Sequence, residues 1–391
     1  MQAFDVPSAY RDGWQRARQA NALLADRYVE FTRVGDPLAD AVIADCQSES
    51  AGQQRVWLTR GLARGPDAVA DAPQSLRDFL AEAATPPAWF DPTQALPGCR
   101  GFHGYSELFI AAFVGAVLIE GFSTLISQSF SITGKLIDQG THRLKQNNRH
   151  LAEIFMPGGL EAGGDGWKLS VRIRLMHASV RFMLAESSEW DSAAWGVPLC
   201  ASHVAYSTAA FSGGLLAQAR KLGAQLTPEQ EASFMMIWRY SGHLMGVPEA
   251  LQVTTQAEAL QWIKVGRACE PAPDLASIQL ANGLINSAPI VAGITDSAAR
   301  QKLVKTIYKV SRALIGDALA DQLQYPPASG LGVLRVFRMR TQLDNWARRA
   351  VPRWEQHRRF QQFQLMLGLS TDGSIHYRMP QHLHAEKDRP G

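Results

Sequence analysis

Two neighbouring segments with histidine in opposite surroundings constrain this chain more than any other feature. The first, HRLKQNNRH, places four polar side chains on one helical face at i, i+3, i+4 and i+7: Arg143, Gln146, Asn147 and His150. The second, VRIRLMHASVR, places His177 in an apolar helical stripe. A buried haem requires such a pair, because one helix supplies the axial imidazole and the facing helix supplies hydrogen-bond donors.

Each segment also has an ordinary structural interpretation. A histidine on an apolar helix face is often a core residue whose ring nitrogens are satisfied by its neighbours. A ladder of polar side chains is often a solvated or helix-pairing face. The residues alone leave both interpretations of His177 open, as a core histidine and as an iron ligand.

Five motifs occur in a fixed order along the chain: GDPLADAV at Gly35–Val42, RLKQNNRH at Arg143–His150, VRIRLMHASVR at Val171–Arg181, WGVPL at Trp195–Leu199 and WRYSGHLMGVPE at Trp238–Glu249. Together they resemble the latex clearing protein (rubber oxygenase) family, within the larger group of MpaB-like haem oxygenases. That family consists of b-type haem dioxygenases. They cleave the double bonds of poly(cis-1,4-isoprene) and release oligo-isoprenoids with aldehyde and ketone ends.

The resemblance implies roles for four residues. The proximal iron ligand of the family falls on His177, and its distal arginine falls on Arg143. Gln146 and Asn147 stand where the family has a lysine and a threonine, and we expect them to donate neutral hydrogen bonds or to hold Arg143 in place. Because that lysine can occupy the sixth position of the iron, its absence predicts an open or water-bound distal site.

Two further departures concern the chemistry. The acidic residue proposed as a base in the family falls, by ungapped spacing, on Ser127, and the family's PxNQ-like segment reads Pro198-Leu199-Cys200-Ala201. Three functions therefore stay open. They are cleavage of polyisoprene, oxygenation of smaller terpenoid or lipid alkenes, and binding of dioxygen without turnover of an alkene.

The other histidines are assigned less specific places. His203 and His243 lie in family-like segments, where each is either an ordinary helix residue or part of the lining of the haem pocket. His103 and His357 are predicted to be polar groups of helices or loops. The histidines of the tail, His382 among them, are predicted to belong to a mobile segment.

Composition and motif absences exclude several classes of protein. A hydrophobic content of 46% with 19% charged residues is enough to form a sizeable core. The net charge is +3 and the basic residues are scattered, which disfavours a nucleic-acid partner. Four distant cysteines without a CxxC pattern exclude covalent haem attachment, so the haem would be non-covalent. Neither the Glu-x-x-His of di-iron oxygenases nor HExxH occurs.

No transmembrane segment is predicted. The longest apolar run, Leu108–Ile119, is too short to cross a bilayer, and we expect it to be a buried helix along a tunnel for an apolar alkene. Met1–Glu30 contains no apolar signal region, so we expect either a cytoplasmic protein or a secreted one whose signal peptide has been removed. We expect a monomer whose partners are dioxygen and the alkene.

Helical periodicity dominates and period-two patterning is nearly absent, which predicts an all-α fold: a single large helical domain enclosing a b-type haem, globin-like in helix packing. We expect an N-terminal helical extension over residues 1–34, a haem-binding oxygenase domain over 35–370 and a flexible tail over 371–391. Loops are predicted at Gly65–Pro73, Ala84–Gly104, Pro157–Gly166 and Ser187–Pro198.

Two helix starts carry recognisable capping signals. Asp36 is followed by proline at the first helical position of a helix that runs to Cys46, and Thr227 and Gln230 have the spacing of a capping box. The other predicted helices are Arg11–Glu30, Gln53–Arg64, Gln74–Ala84, Tyr105–Gln128, Thr133–Phe155, Leu169–Glu186, His203–Leu222, Pro228–Leu244, Thr255–Ala268, Asp274–Ser287, Ser297–Ile315, Leu331–Ala350 and Trp354–Leu367.

Overall fold

The structure is a computed structural model that describes residues 5–133, 140–330 and 332–370. These ranges contain helices and no strand, which confirms the all-α prediction. The helices of the first half are α1 (Arg11–Glu30), α2 (Pro37–Cys46), α3 (Ala51–Arg64), α4 (Gln74–Ala84), α5 (Leu96–Gly104), α6 (Ser106–Ala112), α7 (Leu118–Phe122), α8 (Ile126–Ile132), α9 (Gly140–Ile154) and α10 (Asp165–Ala185).

The second half continues in the same way. Its helices are α11 (Ser192–Trp195), α12 (Ala201–Ala209), α13 (Leu215–Leu222), α14 (Pro228–Leu244), α15 (Gln256–Cys269), α16 (Leu275–Val291), α17 (Ser297–Ile315), α18 (Asp317–Gln322), α19 (Val333–Ala350) and α20 (Pro352–Ser370). Single turns of 3-10 helix lie at Ser8–Tyr10, Phe31–Arg33, Pro66–Val69, Pro92–Ala95 and Glu249–Leu251.

The two predicted capping signals are present. The Asp36 carboxylate accepts a hydrogen bond from the Ala39 amide at 3.2 Å and begins α2. Thr227 and Gln230 form a reciprocal capping box at the start of α14. Each cap satisfies amides that the first helical turn leaves without an intrahelical partner.

The predicted loop Ala84–Gly104 is wrong in its second half, which forms α5. The glycines of this helix permit its close packing against α14 and the residues before it. A Cβ added at Gly98 would lie 2.8 Å from the Phe234 amide nitrogen, and one added at Gly101 would lie 3.0 Å from a methyl of Leu226. The absence of side chains is thus used for contact between helices, not for a turn.

The single helix predicted over Tyr105–Gln128 is also wrong, because the structure divides it into α6, a π-helical turn at Phe113–Val117, α7 and α8. The break follows α7, where the Ser123 hydroxyl donates to the Ile119 carbonyl at 2.7 Å and the Thr124 hydroxyl to the Gly121 carbonyl at 2.8 Å. Short hydroxyl side chains compete in this way for the carbonyls that would continue a helix.

Two π-helical turns meet inside the core. The second, Ala210–Gly214, lies between α12 and α13, so the helix predicted over His203–Leu222 is continuous but carries a bulge. Phe113 and Phe211 place their ring centroids 5.1 Å apart across the contact between the two turns. Such bulges widen a helix locally and are frequent at functional sites.

The N-terminal helix is part of the main core. α1 packs along α15, and an added Cβ at Gly13 would lie only 2.2 Å from the Cys269 carbonyl oxygen. Asn21 interrupts α1 with an extended backbone, and its side chain accepts the Leu24 amide at 3.1 Å, which caps the second half of the helix. The predicted boundary at residue 34 stays a prediction.

The buried apolar side chains divide into two clusters. The larger fills the centre of the fold and has members from Tyr10, just before α1, to Met366 in α20. The smaller lies beside the C-terminal half of α10 and consists of Ile126, Ile132, Val180, Leu184, Trp190 and Leu199. α10 contributes to both clusters, so it passes from one apolar region of the protein to the other.

Several predictions lie partly or wholly outside the described residues. The helix predicted from Thr133 is described from Gly140 onward as α9, and the tail over 371–391, with His382 and His384, is not covered. Among the described residues, no single helix is long and apolar enough to cross a membrane. Pro92–Gly104 and Ser106–Phe122 reach that length and hydropathy only together, as a pair bent by 82°.

Candidate functional site

α9 and α10 form an antiparallel pair whose register is defined by two contacts. A Cβ added at Gly166 would lie 2.8 Å from the Glu153 carbonyl oxygen. His150 Nε2 lies 2.9 Å from the Ser170 hydroxyl. From the first contact to the second, α9 is followed backward by three residues and α10 forward by four. The two helices therefore run in opposite directions.

This register, continued for two more turns or about 10 Å, brings Arg143 level with His177. A second contact supports the placement. The Arg143 guanidinium stacks 3.8 Å from the centroid of Phe130, and Phe130 packs against the smaller apolar cluster, to which Val180 belongs. The structure thus brings together the two helices that the sequence had paired.

His177 lies at the point where the apolar packing of α10 changes from one cluster to the other. Ile173 packs against the main core, whereas Val180 and Leu184 belong to the smaller cluster. The two clusters therefore meet α10 on either side of the histidine. His177 itself retains partial exposure at this place.

The His177 imidazole is neutral across the physiological range. Burial and, after it, the positive charge of Arg181 lower its pKa from the usual 6.5 to about 3. Nδ1 is buried and has no hydrogen-bond partner among the described residues. The ring therefore has the protonation state that a metal ligand needs.

A buried ion pair one turn before His177 joins α10 to α2. Arg174 Nε donates to Asp36 Oδ2 at 2.6 Å, and Arg174 Nη2 donates to Asp36 Oδ1 at 3.1 Å. Arg174 Nη1 donates to the Glu82 carboxylate at 2.9 Å. The Arg174 and Asp36 side chains are 7% and 9% exposed, so this bidentate pair is almost fully removed from water.

A second pair lies one turn after His177. Arg181 donates to Asp40 Oδ1 at 2.8 Å and to the Leu199 carbonyl at 3.2 Å. Leu199 adopts a positive φ of 45°, which presents that carbonyl to the arginine at a conformational cost. Arg174 and Arg181 thus attach α10 to α2 on both sides of the histidine.

The sequence analysis quoted these charged residues within their motifs but assigned them no role. Asp40 follows the capping residue Asp36 by four positions and Arg181 follows Arg174 by seven, so each pair of charges lies on one side of its helix, but neither spacing indicates its partner. The same ion pair explains why the WRYSGHLMGVPE motif has glycine at position 246. A Cβ there would lie 2.2 Å from Asp36 Oδ2, so only glycine lets this loop close over the ion pair.

His150 is the satisfied core histidine of this region. Its Nε2 contacts the hydroxyls of Ser170 at 2.9 Å and Ser241 at 3.4 Å, and its ring lies edge-on to Trp238. Burial lowers its pKa to about 4. Among the four polar residues on this face of α9, His150 therefore connects α9 to α10 and α14.

The other three members of the ladder retain partial exposure. Arg143, Gln146 and Asn147 are each intermediate between buried and exposed. Burial lowers the pKa of the Arg143 guanidinium to about 10, so the group is still charged at neutral pH. A charged donor in a partly dehydrated place makes stronger hydrogen bonds than one in water.

Ser127 does not supply a base. It is buried, it donates to the Thr124 carbonyl and its hydroxyl lies 2.9 Å from that of Ser277 on α16. The acidic residue that precedes it in α7, Glu120, lies 3.0 Å from Arg267 and accepts from Gln218 at 3.3 Å. Both positions are engaged in joining helices.

His203 belongs to a separate buried cluster. Its Nε2 lies 3.1 Å from the Glu270 carboxylate and 3.0 Å from the Tyr10 hydroxyl, and Tyr28 donates to Glu270 at 2.7 Å. Burial alone would lower the pKa of His203, but Cys200 and Glu270 raise it to about 10. A protonated imidazole cannot coordinate a metal, so the histidine's part in this cluster is structural.

The remaining histidines lie in ordinary polar or aromatic surroundings. His103 Nε2 contacts the Phe155 carbonyl at 3.0 Å, and His243 stacks on Tyr240 with ring centroids 6.1 Å apart. His357 contacts Gln361 within α20. A cleft of about 470 Å³ lies between α6 and the α19–α20 pair. Its lining contains no histidine, so it is separate from the surroundings of His177.

Comparisons with known proteins place the chain in a family. The family model described as ER-bound oxygenase mpaB/B'/Rubber oxygenase, catalytic domain, matches residues 101–364. A rubber oxygenase of Streptomyces sp. (strain K30) is 21% identical over 185 residues, which is 45% of this chain and 44% of that protein. The match therefore spans less than half the length of this relative.

A solved structure described as latex clearing protein LCP in the closed state shares the fold. It superposes with a TM-score of 0.64 at 17% identity and covers 79% of this chain and 84% of its own. The family match extends over well more than half of the chain and includes α9, α10 and the residues around His177. The chain belongs to the mpaB/rubber oxygenase catalytic-domain family of oxygenases.

Proposed function

We propose that this oxygenase is a haem b-dependent dioxygenase that cleaves the carbon–carbon double bonds of poly(cis-1,4-isoprene), with His177 as the axial iron ligand. One observation carries the proposal above the others. The neutral imidazole of His177 lies on α10 at the boundary between the two apolar clusters, and α9, which carries the charged Arg143, packs beside α10. Membership of a family of oxygenases supplies the class of reaction.

The residues present fit a haem. A porphyrin brings four nitrogen ligands of its own, so the protein needs to supply one neutral imidazole and an apolar space. His177 is neutral, and Ile173, Val180 and Leu184 on its face are apolar. Its Nδ1 atom is buried without a hydrogen-bond partner among the described residues, so the ring has an unsatisfied polar atom, for which a bound cofactor would give a reason.

The ion pairs to α2 would keep the ligand in place. Arg174 and Arg181 hold α10 one turn before and one turn after His177, which limits translation and rotation of the helix. A metal ligand held by a rigid surrounding shell needs less reorganisation on binding. Asp36 and Asp40 are thus positioning residues, since neither contacts the imidazole in the structure.

When bound, the haem supplies the iron chemistry that activates dioxygen. Arg143 would donate a charged hydrogen bond from the level of His177, where negative charge develops during oxygen chemistry. Gln146 and Asn147, on the same face of α9, would add neutral donors or support the guanidinium. The apolar clusters on either side would exclude water from the reaction and accept the hydrocarbon.

A second candidate function is oxygenation of smaller terpenoid or lipid alkenes. Two positions favour it. Ser127 is fully engaged with Ser277 and supplies no acidic group, and Gln146 replaces the lysine expected from the family resemblance. These differences bear on substrate and mechanism, whereas they leave the proposed axial ligand unchanged.

An oxygen-uptake and product assay distinguishes these functions. The haem-loaded protein is incubated with cis-polyisoprene latex and, separately, with short terpenoid alkenes, and carbonyl products are identified by mass spectrometry. The proposal expects aldehyde- and ketone-ended oligo-isoprenoids from polyisoprene, and their loss in His177→Ala. Products from short alkenes alone favour the second candidate. Reversible dioxygen binding without carbonyl products from either substrate contradicts both.

A further inference from the structure

The last two helices carry an unusual share of exposed apolar surface. Of sixteen large hydrophobic side chains exposed in the described residues, ten lie on α19, on α20 or at Val351 between them. α20 folds back on α19, because Trp354 donates to Asp344 at 3.0 Å and Arg358 lies 3.2 Å from the same carboxylate. We refer to residues 333–370 as the C-terminal hairpin.

The exposed side chains of α19 form one continuous stripe. Val336, Met339, Leu343 and Trp346 follow the spacing i, i+3, i+7 and i+10 and are 62–69% exposed. The opposite face is the one that packs on the protein, where Thr341 donates to the Leu222 carbonyl at 3.2 Å. Val336, Met339 and Trp346 therefore point away from the body of the protein, and Leu343 lies between them and the cleft that separates α19 from α6.

Arginines border the stripe on both sides. The C-terminal hairpin contains eight arginines and two acidic residues, a net charge of +6, although the whole chain carries only +3. Arg335, Arg338 and Arg349 follow one edge of the stripe and Arg340 the other, and all four are exposed. A positive rim around an apolar stripe is the pattern of a helix that lies in a membrane interface.

We propose that the C-terminal hairpin binds the surface of an anionic phospholipid bilayer, with α19 parallel to the membrane plane. The apolar stripe would enter the boundary between headgroups and acyl chains, and the arginines would contact lipid phosphates. The complementarity is specific in sign, because acidic residues are almost absent from the hairpin while the rest of the chain has a net negative charge.

Two other occupants fit the surface less well. In a symmetric dimer the same patch would face its own copy, so the arginines beside one stripe would meet those beside the other. The segment over residues 371–391 contains three acidic and three basic residues, and its net charge is zero. Neither a second copy of the hairpin nor this segment has a net negative charge that would complement the arginines.

Vesicle flotation tests the proposal. The full-length protein is mixed with phosphatidylcholine vesicles with and without phosphatidylserine, at low and high salt. We expect binding only to the phosphatidylserine vesicles, and weaker binding at high salt. Arg335→Gln/Arg349→Gln should bind about 25-fold more weakly, or about fivefold per arginine, and Arg16→Gln/Arg55→Gln is the matched control for exposed arginines elsewhere. The control should bind like the wild type.

A second pair of variants tests the apolar stripe. Leu343→Ala/Trp346→Ala should lose vesicle binding, whereas Leu275→Ala, at a site of similar exposure on α16, should not. Binding equal on both vesicle types, or unaffected by either hairpin variant, overturns the proposal. So does a wild-type dimer that the stripe variant dissociates while no vesicle binds. Haem content and activity on a soluble alkene should be unchanged in every variant, so this test is independent of the proposed function.

Discussion

The ion pair between Arg174 and Asp36 offers the sharpest test of how α10 is held. Asp36→Asn keeps the size of the side chain and its capacity to cap α2, because asparagine caps as well as aspartate does. It removes the negative charge opposite Arg174 and one of the two acceptor oxygens, in a pair whose side chains are 7% and 9% exposed. The substitution thus breaks the ion pair without changing the volume of the side chain.

The expected loss is large. Removing one partner of a buried ion pair destabilises a protein by about 3–5 kcal/mol, because the other charge stays buried. We take the lower end, about 3 kcal/mol, because Glu82, 40% exposed, still contacts Arg174 at 2.9 Å. For a protein of this size that corresponds to a fall in melting temperature of about 4 °C. Haem affinity should fall about tenfold, as for loss of a group that orients a ligand.

Urea unfolding of the haem-free protein, followed by circular dichroism, measures the first quantity. Asp5→Asn is the matched control, because Asp5 also pairs with an arginine, Arg33, but its side chain is 78% exposed. The control should change the free energy of unfolding by less than about 1 kcal/mol. If Asp36→Asn is no more destabilising than Asp5→Asn, the ion pair does not hold α10 and the reasoning is refuted.

Three further predictions concern the site and the buried charges. Arg143→Ala should retain most of its haem but react with dioxygen about 10²-fold more slowly, by analogy with loss of an oxyanion donor; activity that survives while haem is lost would make Arg143 a cofactor-binding residue instead. Gln146→Lys should shift the ferric absorption spectrum toward six-coordinate nitrogen ligation, and a wild-type spectrum that already has two nitrogen ligands would contradict this. Glu270→Gln should be most destabilising near pH 6. The pKa of His203 is about 10 in the folded protein and about 6.5 in the unfolded chain, so the protonated histidine contributes fully to stability below pH 6.5. That contribution is lost as the pH rises from 6.5 toward 10. The difference in free energy of unfolding between wild type and Glu270→Gln, measured by urea melts, should therefore shrink by up to about 1.4 kcal/mol per pH unit.

Regular amphipathic helices were predictable from the sequence, whereas breaks within helices were not. The bounds of α1, α4, α14 and α17 agree with the predicted ones, because each has clear end signals or a sustained apolar period. The break after α7 depends on which carbonyls the hydroxyl side chains reach and on which amide donates to a distant carboxylate. Glu270, 145 residues away, accepts the Leu125 amide at that break, and no local pattern contains this information.

The residues proposed for the site came from the sequence, whereas their supports came from the structure. Helical spacing and the family resemblance led to the prediction that Arg143 faces His177, and the contact of α9 with α10 is compatible with it. The ion pairs of Asp36 and Asp40 with α10 join segments about 140 residues apart, so spacing alone could not pair them. The engagement of His203 with Glu270 was hidden for the same reason.

The central claim is that His177 supplies the axial ligand of a non-covalent haem, and reconstitution with haem tests it most directly. Wild type, His177→Gly and His243→Ala are titrated with haem, and their absorption spectra are recorded before and after addition of imidazole. The account predicts that His177→Gly loses most of its haem affinity and regains a histidine-like spectrum with imidazole, while His243→Ala matches the wild type. Full haem affinity and an unchanged spectrum in His177→Gly would contradict it.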